Sequence, residues 1–208
     1  FNKGITVQAM GGVAVSSSVT LTSSPTVIST GTGAITITAG NMLSTSSNLL
    51  TFTVDEISFF GTVSTGAAPT IVECYSAGRT IAWGSAAANI NIADAEIGKV
   101  TVTGLSTGGA NCGTQTLTGV TDANSDGISE VTTLLAIRDN AQIIFTGAKS
   151  TFNILSAQAD DGVLTKTDVL TTDGPMYFDG DYDRSADTID KAGFTDGTSI
   201  FAKTVLTL

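Results

Sequence analysis

The segment from Ile5 to Leu21 constrains the fold more than any other part of the chain. Its apolar and small side chains recur at every second position over 17 residues, which is typical of a β-strand with one buried face. At about 3.3 Å per residue this segment would span roughly 55 Å, whereas most strands hold about 5–6 residues. The segment is therefore too long for one ordinary strand. The pair Gly11–Gly12 lies where a bend or a break could divide it.

Two interpretations follow from this length. The segment is either one strand kinked at the glycines, or a hairpin, within a single domain, or else residues 1–11 form an extended arm that leaves its own domain. An extended strand can add to the open sheet edge of another molecule. In the second interpretation Ile5, Val7 and Ala9 are the donor residues that enter a neighbouring copy. Residues 12–208 then form the domain itself.

The rest of the chain is predicted to be all-β. Short alternating segments recur about every 10 residues, separated by Gly, Asn and Asp, which favours a sandwich or barrel. The alternation changes parity at Asp55–Glu56, as at a β-bulge or a corner between sheets. No repeat of fixed period is evident, which argues against a β-solenoid. We expect a single antiparallel β-sandwich, jelly-roll-like, with an extended N-terminal strand and at most one or two short helices, the best candidate being residues 127–140.

Composition limits the possible partners and the cellular location. The formal net charge is −10, so the surface should repel nucleic acid and attract cations. No run of about 20 apolar residues is present, so no membrane span is expected. Cys74 and Cys112 are the only cysteines. A secreted protein would join them in a disulfide, and the alternative is two separate buried thiols. The chain opens without a hydrophobic signal region, so we expect a mature extracellular protein from which such a region has been removed.

One candidate cation site is a loop with the pattern D-x-N-x-D-G. Oxygen ligands at positions 1, 3 and 5 before a glycine are how a calcium loop surrounds its ion, and the seventh residue offers its carbonyl. A full EF-hand needs a glutamate at position 12, where this chain has Thr133. The predicted ligands of this loop are Asp122, Asn124, Asp126, Ile128 and Glu130. The alternative is an Asx-rich turn before a helix.

A second candidate cation site lies in the most acidic part of the chain. Carboxylates this close together repel one another unless a cation or a basic side chain intervenes. The predicted ligands are Asp179, Asp181, Asp183 and Asp187. The alternative is a solvated acidic loop. Calcium is the expected ion, because Mg²⁺ usually keeps more of its water and takes fewer protein ligands.

Catalysis is not expected. The chain has no histidine, which excludes Ser-His and Cys-His nucleophile systems and histidine zinc sites. Trp83 is the only tryptophan, so a sugar-cleaving cleft would lack aromatic platforms. No phosphate-binding GxxxxGK[ST] loop is present.

With the N-terminal segment as a donor arm and the Asp122 and Asp179 loops as calcium sites, the chain resembles subunits of extracellular archaeal filaments and tubes. Such families include threads, bundling pili and, most similar, the cannula subunits. The resemblance implies a secreted structural subunit that polymerises with copies of itself by inserting its N-terminal strand into a neighbour, with calcium stabilising loops or interfaces. Two other functions fit the same features: a secreted calcium-dependent carbohydrate- or surface-binding β-sandwich module, and a viral capsid or decoration protein.

Overall fold

Short strands that pair only in parallel make up most of the molecule. The structure is a computed structural model that describes residues 1–208, with 47% of residues in strands and 4% in helices. Most strands lie on a strand that is about one turn of the chain earlier, and every ladder between strands is parallel. The chain therefore winds in coils stacked along one axis, with three strand-bearing faces. This architecture is a parallel β-solenoid.

The first four coils contain thirteen strands and one short helix. They are β1 (Thr6–Gln8), β2 (Val13–Val15) and β3 (Val19–Thr20); β4 (Thr26–Ser29), β5 (Ala34–Ile37) and β6 (Met42–Ser44); β7 (Leu50–Val54), β8 (Glu56–Phe59) and β9 (Thr62–Ser64); and β10 (Thr70–Cys74), β11 (Arg79–Gly84), β12 (Ile90–Ile92), α1 (Asp94–Ile97) and β13 (Val100–Thr101).

The remaining coils contain twelve strands and a second short helix. They are β14 (Leu105–Gly108), β15 (Cys112–Thr118) and α2 (Asp122–Ser125); β16 (Val131–Ala136), β17 (Ile143–Phe145) and β18 (Ser150–Phe152); β19 (Ile154–Ala159), β20 (Val163–Thr165) and β21 (Val169–Thr171); β22 (Met176–Asp179), β23 (Ala192–Phe194) and β24 (Ile200–Phe201); and β25 (Leu206–Thr207).

Five sheets form the three faces. The first face is one nine-stranded sheet, β1-β4-β7-β10-β14-β16-β19-β22-β25. The second face is β2-β5-β8 followed by the six-stranded sheet β12-β11-β15-β17-β20-β23, with β12 beside β8. The third face is β3-β6-β9-β13, continued by a parallel bridge between Val102 and Ile128 and then by β18-β21-β24.

Strand register stacks equivalent side chains in columns along the axis. On the first face an interior column runs from coil to coil and contains Val7, Ile28, Phe52, Val72, Thr107, Leu134, Ala157 and Phe178. Such columns build one hydrophobic core of 39 buried residues. Because each strand buries one face and exposes the other, its side chains alternate between core and solvent.

Threonine hydroxyls close several corners of the coils. Thr45 and Thr65 follow third-face strands, Thr171 ends one, and each donates to the backbone carbonyl three residues later, on Asn48, Ala68 and Gly174 respectively. The Thr171–Gly174 bond is 2.7 Å long. These hydroxyl-to-backbone bonds provide donors to carbonyls at the corners of the coils.

The predicted antiparallel β-sandwich is wrong, since the sheets are all parallel and number five. The error has a physical cause. Strands buried on one side alternate apolar and polar residues whether their neighbours run parallel or antiparallel, so the pattern cannot distinguish a solenoid from a sandwich.

The coils also differ in length, which conceals the repeat. The residues paired between consecutive first-face strands are 20 positions apart from Leu50 to Thr70 but 35 apart from Thr70 to Leu105. The longer coil contains the additional strand β12 and helix α1. Coils of unequal length leave no fixed period in the sequence, so the expectation that the fold is not a solenoid is wrong.

Two further segments differ from expectation. Thr6–Gln8, within the predicted arm, pairs in parallel with Val27–Ser29 of the same chain, and Ile5, Val7 and Ala9 are half-buried. They belong to the first coil rather than to a detached strand. The helix expected over residues 127–140 is strand β16 in its central part, with alternating buried residues.

The corner at Asp55 is stabilised by polar contacts. Buried Asp55 lies between β7 and β8, where the chain changes face; its Oδ1 accepts from Ser76 N at 2.8 Å and its carbonyl from the Arg79 guanidinium at 2.6 Å. One coil further on, Cys74 and Cys112 form a disulfide. These contacts link consecutive coils at the corner between the first and second faces.

Candidate functional site

Three carboxylates from consecutive coils meet at the corner between the first and second faces. Asp139 lies in the turn after β16, Asp160 directly follows β19, and Asp187 lies in the connection between β22 and β23. One carboxylate oxygen from each lies within 4.8 Å of the others. We call these three residues the acidic triad.

Backbone amides hold the acidic triad in place. Asp160 is only 2% exposed, and its Oδ2 accepts from Asn140 N at 2.7 Å. The neighbouring Asp161 is also buried, and its Oδ1 accepts from Ile189 N at 2.6 Å. The second bond ties the connection that carries Asp187 to the preceding coil, so the triad is assembled by coil stacking.

The triad has no basic partner. The only ion pair in the structure joins Arg79 to Asp55, at 3.8 Å. Partial removal of Asp187 from water, together with the negative charges of Asp160, Asp190, Asp139 and Asp183, raises the pKa of Asp187 from 3.8 to about 6. Carboxylate oxygens held this close could bind a hard cation such as Ca²⁺.

Of the four ligands predicted in the second acidic loop, only Asp187 belongs to the triad. Asp179 accepts from the Tyr177 hydroxyl at 3.1 Å and from Asp181 N at 3.3 Å, and Asp183 accepts from Ser185 N. Asp181 has a buried oxygen without a partner and lines a 510 Å³ cavity at the C-terminal end of the solenoid. The four residues do not converge on one point.

The first predicted calcium loop does not surround a common centre either. Asp122–Ser125 is the short helix α2, and the Asn124 amide donates to Asp94 Oδ2 at 2.7 Å. Ile128 is buried, and its carbonyl accepts from Asn153 Nδ2. Asp126 ends α2 and Glu130 is exposed. No group of three acidic ligands forms among these residues.

Sequence reasoning missed Asp139 and Asp160. They lie 21 residues apart, and Asp187 follows 27 residues later, which are coil lengths. Asp139 and Asp160 each come shortly after a first-face strand, and Asp187 lies in the longer connection after the next first-face strand, β22. This regular placement can be recognised only when the strands have been assigned to coils.

The N-terminal end of the solenoid exposes part of the apolar interior. A groove of 330 Å³ opens there, and nine of the eleven residues that line it are hydrophobic. Its walls include Ile5, Val7, Val13 and Val19, which pack against the main core but remain half-buried. β1 pairs only with β4, so its other edge is open.

The C-terminal end also exposes apolar side chains. Phe201 is 54% and Leu208 65% exposed, and Phe194, Val205 and Leu206 in or next to the last strands are exposed as well. β25 pairs only with β22. We call these two surfaces the N-terminal end and the C-terminal end.

Fold and surface together define a parallel β-solenoid with open apolar ends and an acidic corner. No family model, curated protein or solved structure matches the chain. No helix is both long and apolar enough to cross a membrane.

Proposed function

We propose that this chain is a structural β-solenoid whose copies associate through their ends into an extracellular filament. The observation that carries the proposal is the exposure of apolar residues at both ends, among them Leu206, which follows buried Met176 in an interior column. Solenoid proteins generally need terminal units with a polar outer face to stay soluble, and open strand edges pair readily with other chains. Here the N-terminal end is lined by apolar side chains, and the C-terminal end exposes several.

Association of this kind replaces the predicted donor-strand insertion. The N-terminal strand has its own partner in β4, so assembly would not require it to leave its sheet. A contact between two different ends of one chain is heterologous, and repeating it generates an open filament unless the rotation closes a ring.

Charge affects the strength of this association. Each copy carries a formal net charge of −10, so copies repel one another over about a Debye length, roughly 10 Å at 0.1 M salt. Filament formation should therefore increase as the salt concentration is raised. Assembly through ion pairs would instead weaken at higher salt.

The disulfide supports an extracellular location. Cys74 and Cys112 are the only cysteines and form a disulfide with each other. Such bonds persist in oxidising compartments and are rare in the cytosol of most organisms. Labelling of free thiols in protein taken directly from its source would test this; labelled cysteines would contradict secretion.

The test of association is the mass of the purified chain in solution. Multi-angle light scattering over a range of concentrations and salt should show growing particles, and electron microscopy should show filaments. A mass that stays at one chain, 21.0 kDa, at all concentrations would refute the proposal.

A matched pair of variants locates the contact. Phe201→Ser removes an exposed aromatic side chain at the C-terminal end, and Phe60→Ser removes one of similar exposure beside β8, in the middle of the solenoid. Burying such a ring contributes about 1.5 kcal/mol, so Phe201→Ser should weaken association about tenfold. Phe60→Ser should leave it unchanged, and equal effects would contradict association through the ends.

Calcium binding stays a prediction, now assigned to the acidic triad rather than to either predicted loop. The triad lacks a basic partner, so an ion there would relieve repulsion between three carboxylates. Calorimetric titration of calcium into chelator-treated protein should show binding that Asp160→Asn removes. Unchanged heat in that variant would exclude the triad as the site.

A further inference from the structure

We propose that the copies stack head to tail, with β25 of one copy pairing in parallel with β1 of the next. The inference rests on the proposed end association and specifies its geometry. The nine-stranded sheet has β1 at one edge and β25 at the other. A joint between these edges would continue the first face from copy to copy.

Strand direction selects head-to-tail stacking. All strands of the first face run the same way, so shifting a copy along the axis brings β25 and β1 together in parallel, as in every other ladder of the solenoid. Rotating one copy to join like ends would make the strands antiparallel and reverse the order of the faces around the axis.

Register matches specific residues across this joint. The exposed column of the first face begins at Thr6 and ends at Thr207. If this column continues, Thr207 lies beside Thr6 of the next copy, and Leu206 lies beside its Ile5. Leu206 follows Met176 in an interior column, and Ile5 lines the groove of the N-terminal end. The joint therefore places an exposed leucine at the apolar groove.

The third face contributes a second contact. The Phe1 backbone nitrogen donates to Thr20 O at 2.8 Å, and the Thr22 hydroxyl donates to Phe1 O at 3.1 Å. The first residues of the chain thus lie against the outer edge of β3, and in the stack they face β24 of the preceding copy, which exposes Phe201. On the second face the stack has a gap of one strand between β23 of one copy and β2 of the next, because β25 extends the first face only.

Disulfide trapping tests this register. All native cysteines are paired, so Thr6→Cys and Thr207→Cys would carry the only free thiols. Both side chains are exposed, which leaves the core intact. Neighbouring strands lie about 4.8 Å apart, within the Cα separation that a disulfide spans, about 4.4–6.8 Å. Under mild oxidation, an equimolar mixture should give cross-linked dimer as its cross-linked product, and the double variant a ladder of longer species.

Controls separate the possible failures. Each single variant alone should give less than about a tenth of the cross-linking, as should Thr6→Cys mixed with Phe60→Cys. Strong cross-linking of Thr6→Cys with itself would show head-to-head contacts and overturn the inference. Filaments without cross-links in the mixture would overturn this register but keep end association, whereas a monomer by light scattering would overturn both.

Discussion

Two buried hydroxyls without partners allow a sharp test of the core. Thr26 and Thr70 are buried in the first face, and neither Oγ1 has a hydrogen-bond partner. Both pair with Leu50, which lies between them in one interior column. Leaving such a hydroxyl unsatisfied costs about 1–3 kcal/mol. Thr26→Val and Thr70→Val keep the side-chain shape and remove the hydroxyl, so each should stabilise the fold by about 1 kcal/mol.

The double variant should show the sum of the two effects. One strand separates the two residues, which places them about 10 Å apart. They share Leu50 as a neighbour, and the sum is expected because neither substitution changes the shape of the side chain that contacts Leu50. With a urea m-value of about 3 kcal/mol/M, each change should raise the denaturation midpoint by about 0.3 M at unchanged slope, and the double variant by about 0.6 M. Circular dichroism in urea measures both.

Thr171→Val is the matched control. Thr171 is also buried, but its hydroxyl donates to Gly174 O at 2.7 Å and accepts from Lys203 N at 3.2 Å. The same substitution there should lower stability by about 1–3 kcal/mol, because it leaves a carbonyl unsatisfied. If Thr26→Val and Thr70→Val destabilise as much as Thr171→Val, the assignment of unsatisfied hydroxyls is refuted.

Three further predictions concern the disulfide, the acidic triad and one glycine. Replacing Cys74 and Cys112 by serine opens a loop of 38 residues and should lower the free energy of unfolding by up to about 4 kcal/mol. An unchanged urea midpoint would show that the disulfide adds nothing to the stability that coil stacking provides. The pKa of Asp187 is raised to about 6 in the fold, so the fold loses stability as pH rises from about 4 through 6. Without calcium, Asp187→Asn should therefore be more stable than the native chain at pH 7.5 and equal to it at pH 4, and an equal difference at both pH values would contradict this assignment. Gly108 has φ +101°, and an added Cβ would lie 1.9 Å from Leu135 O, so Gly108→Ala should lower thermal stability by several degrees, and an unchanged melting temperature would contradict the close approach of these coils.

Local features of the sequence determined the strand content and one corner. The alternation of Leu50, Phe52 and Val54 appears in the structure as a strand with three buried side chains. The parity change at Asp55 is a corner where the chain moves from the first face to the second. Both depend on neighbouring residues only, which is why they could be predicted.

Tertiary structure decided how those strands stack and which acids meet. Alternation specifies that one side of a strand is buried but not the direction of the neighbouring strand, so the same pattern suits a sandwich or a solenoid. Asp139, Asp160 and Asp187 are far apart in sequence and converge only because consecutive coils stack a strand spacing apart. The coils contain unequal numbers of residues, and this concealed the stacking order. Hydrogen bonds across the sheet decide which residues pair between coils, and these pairings do not follow a fixed spacing along the chain.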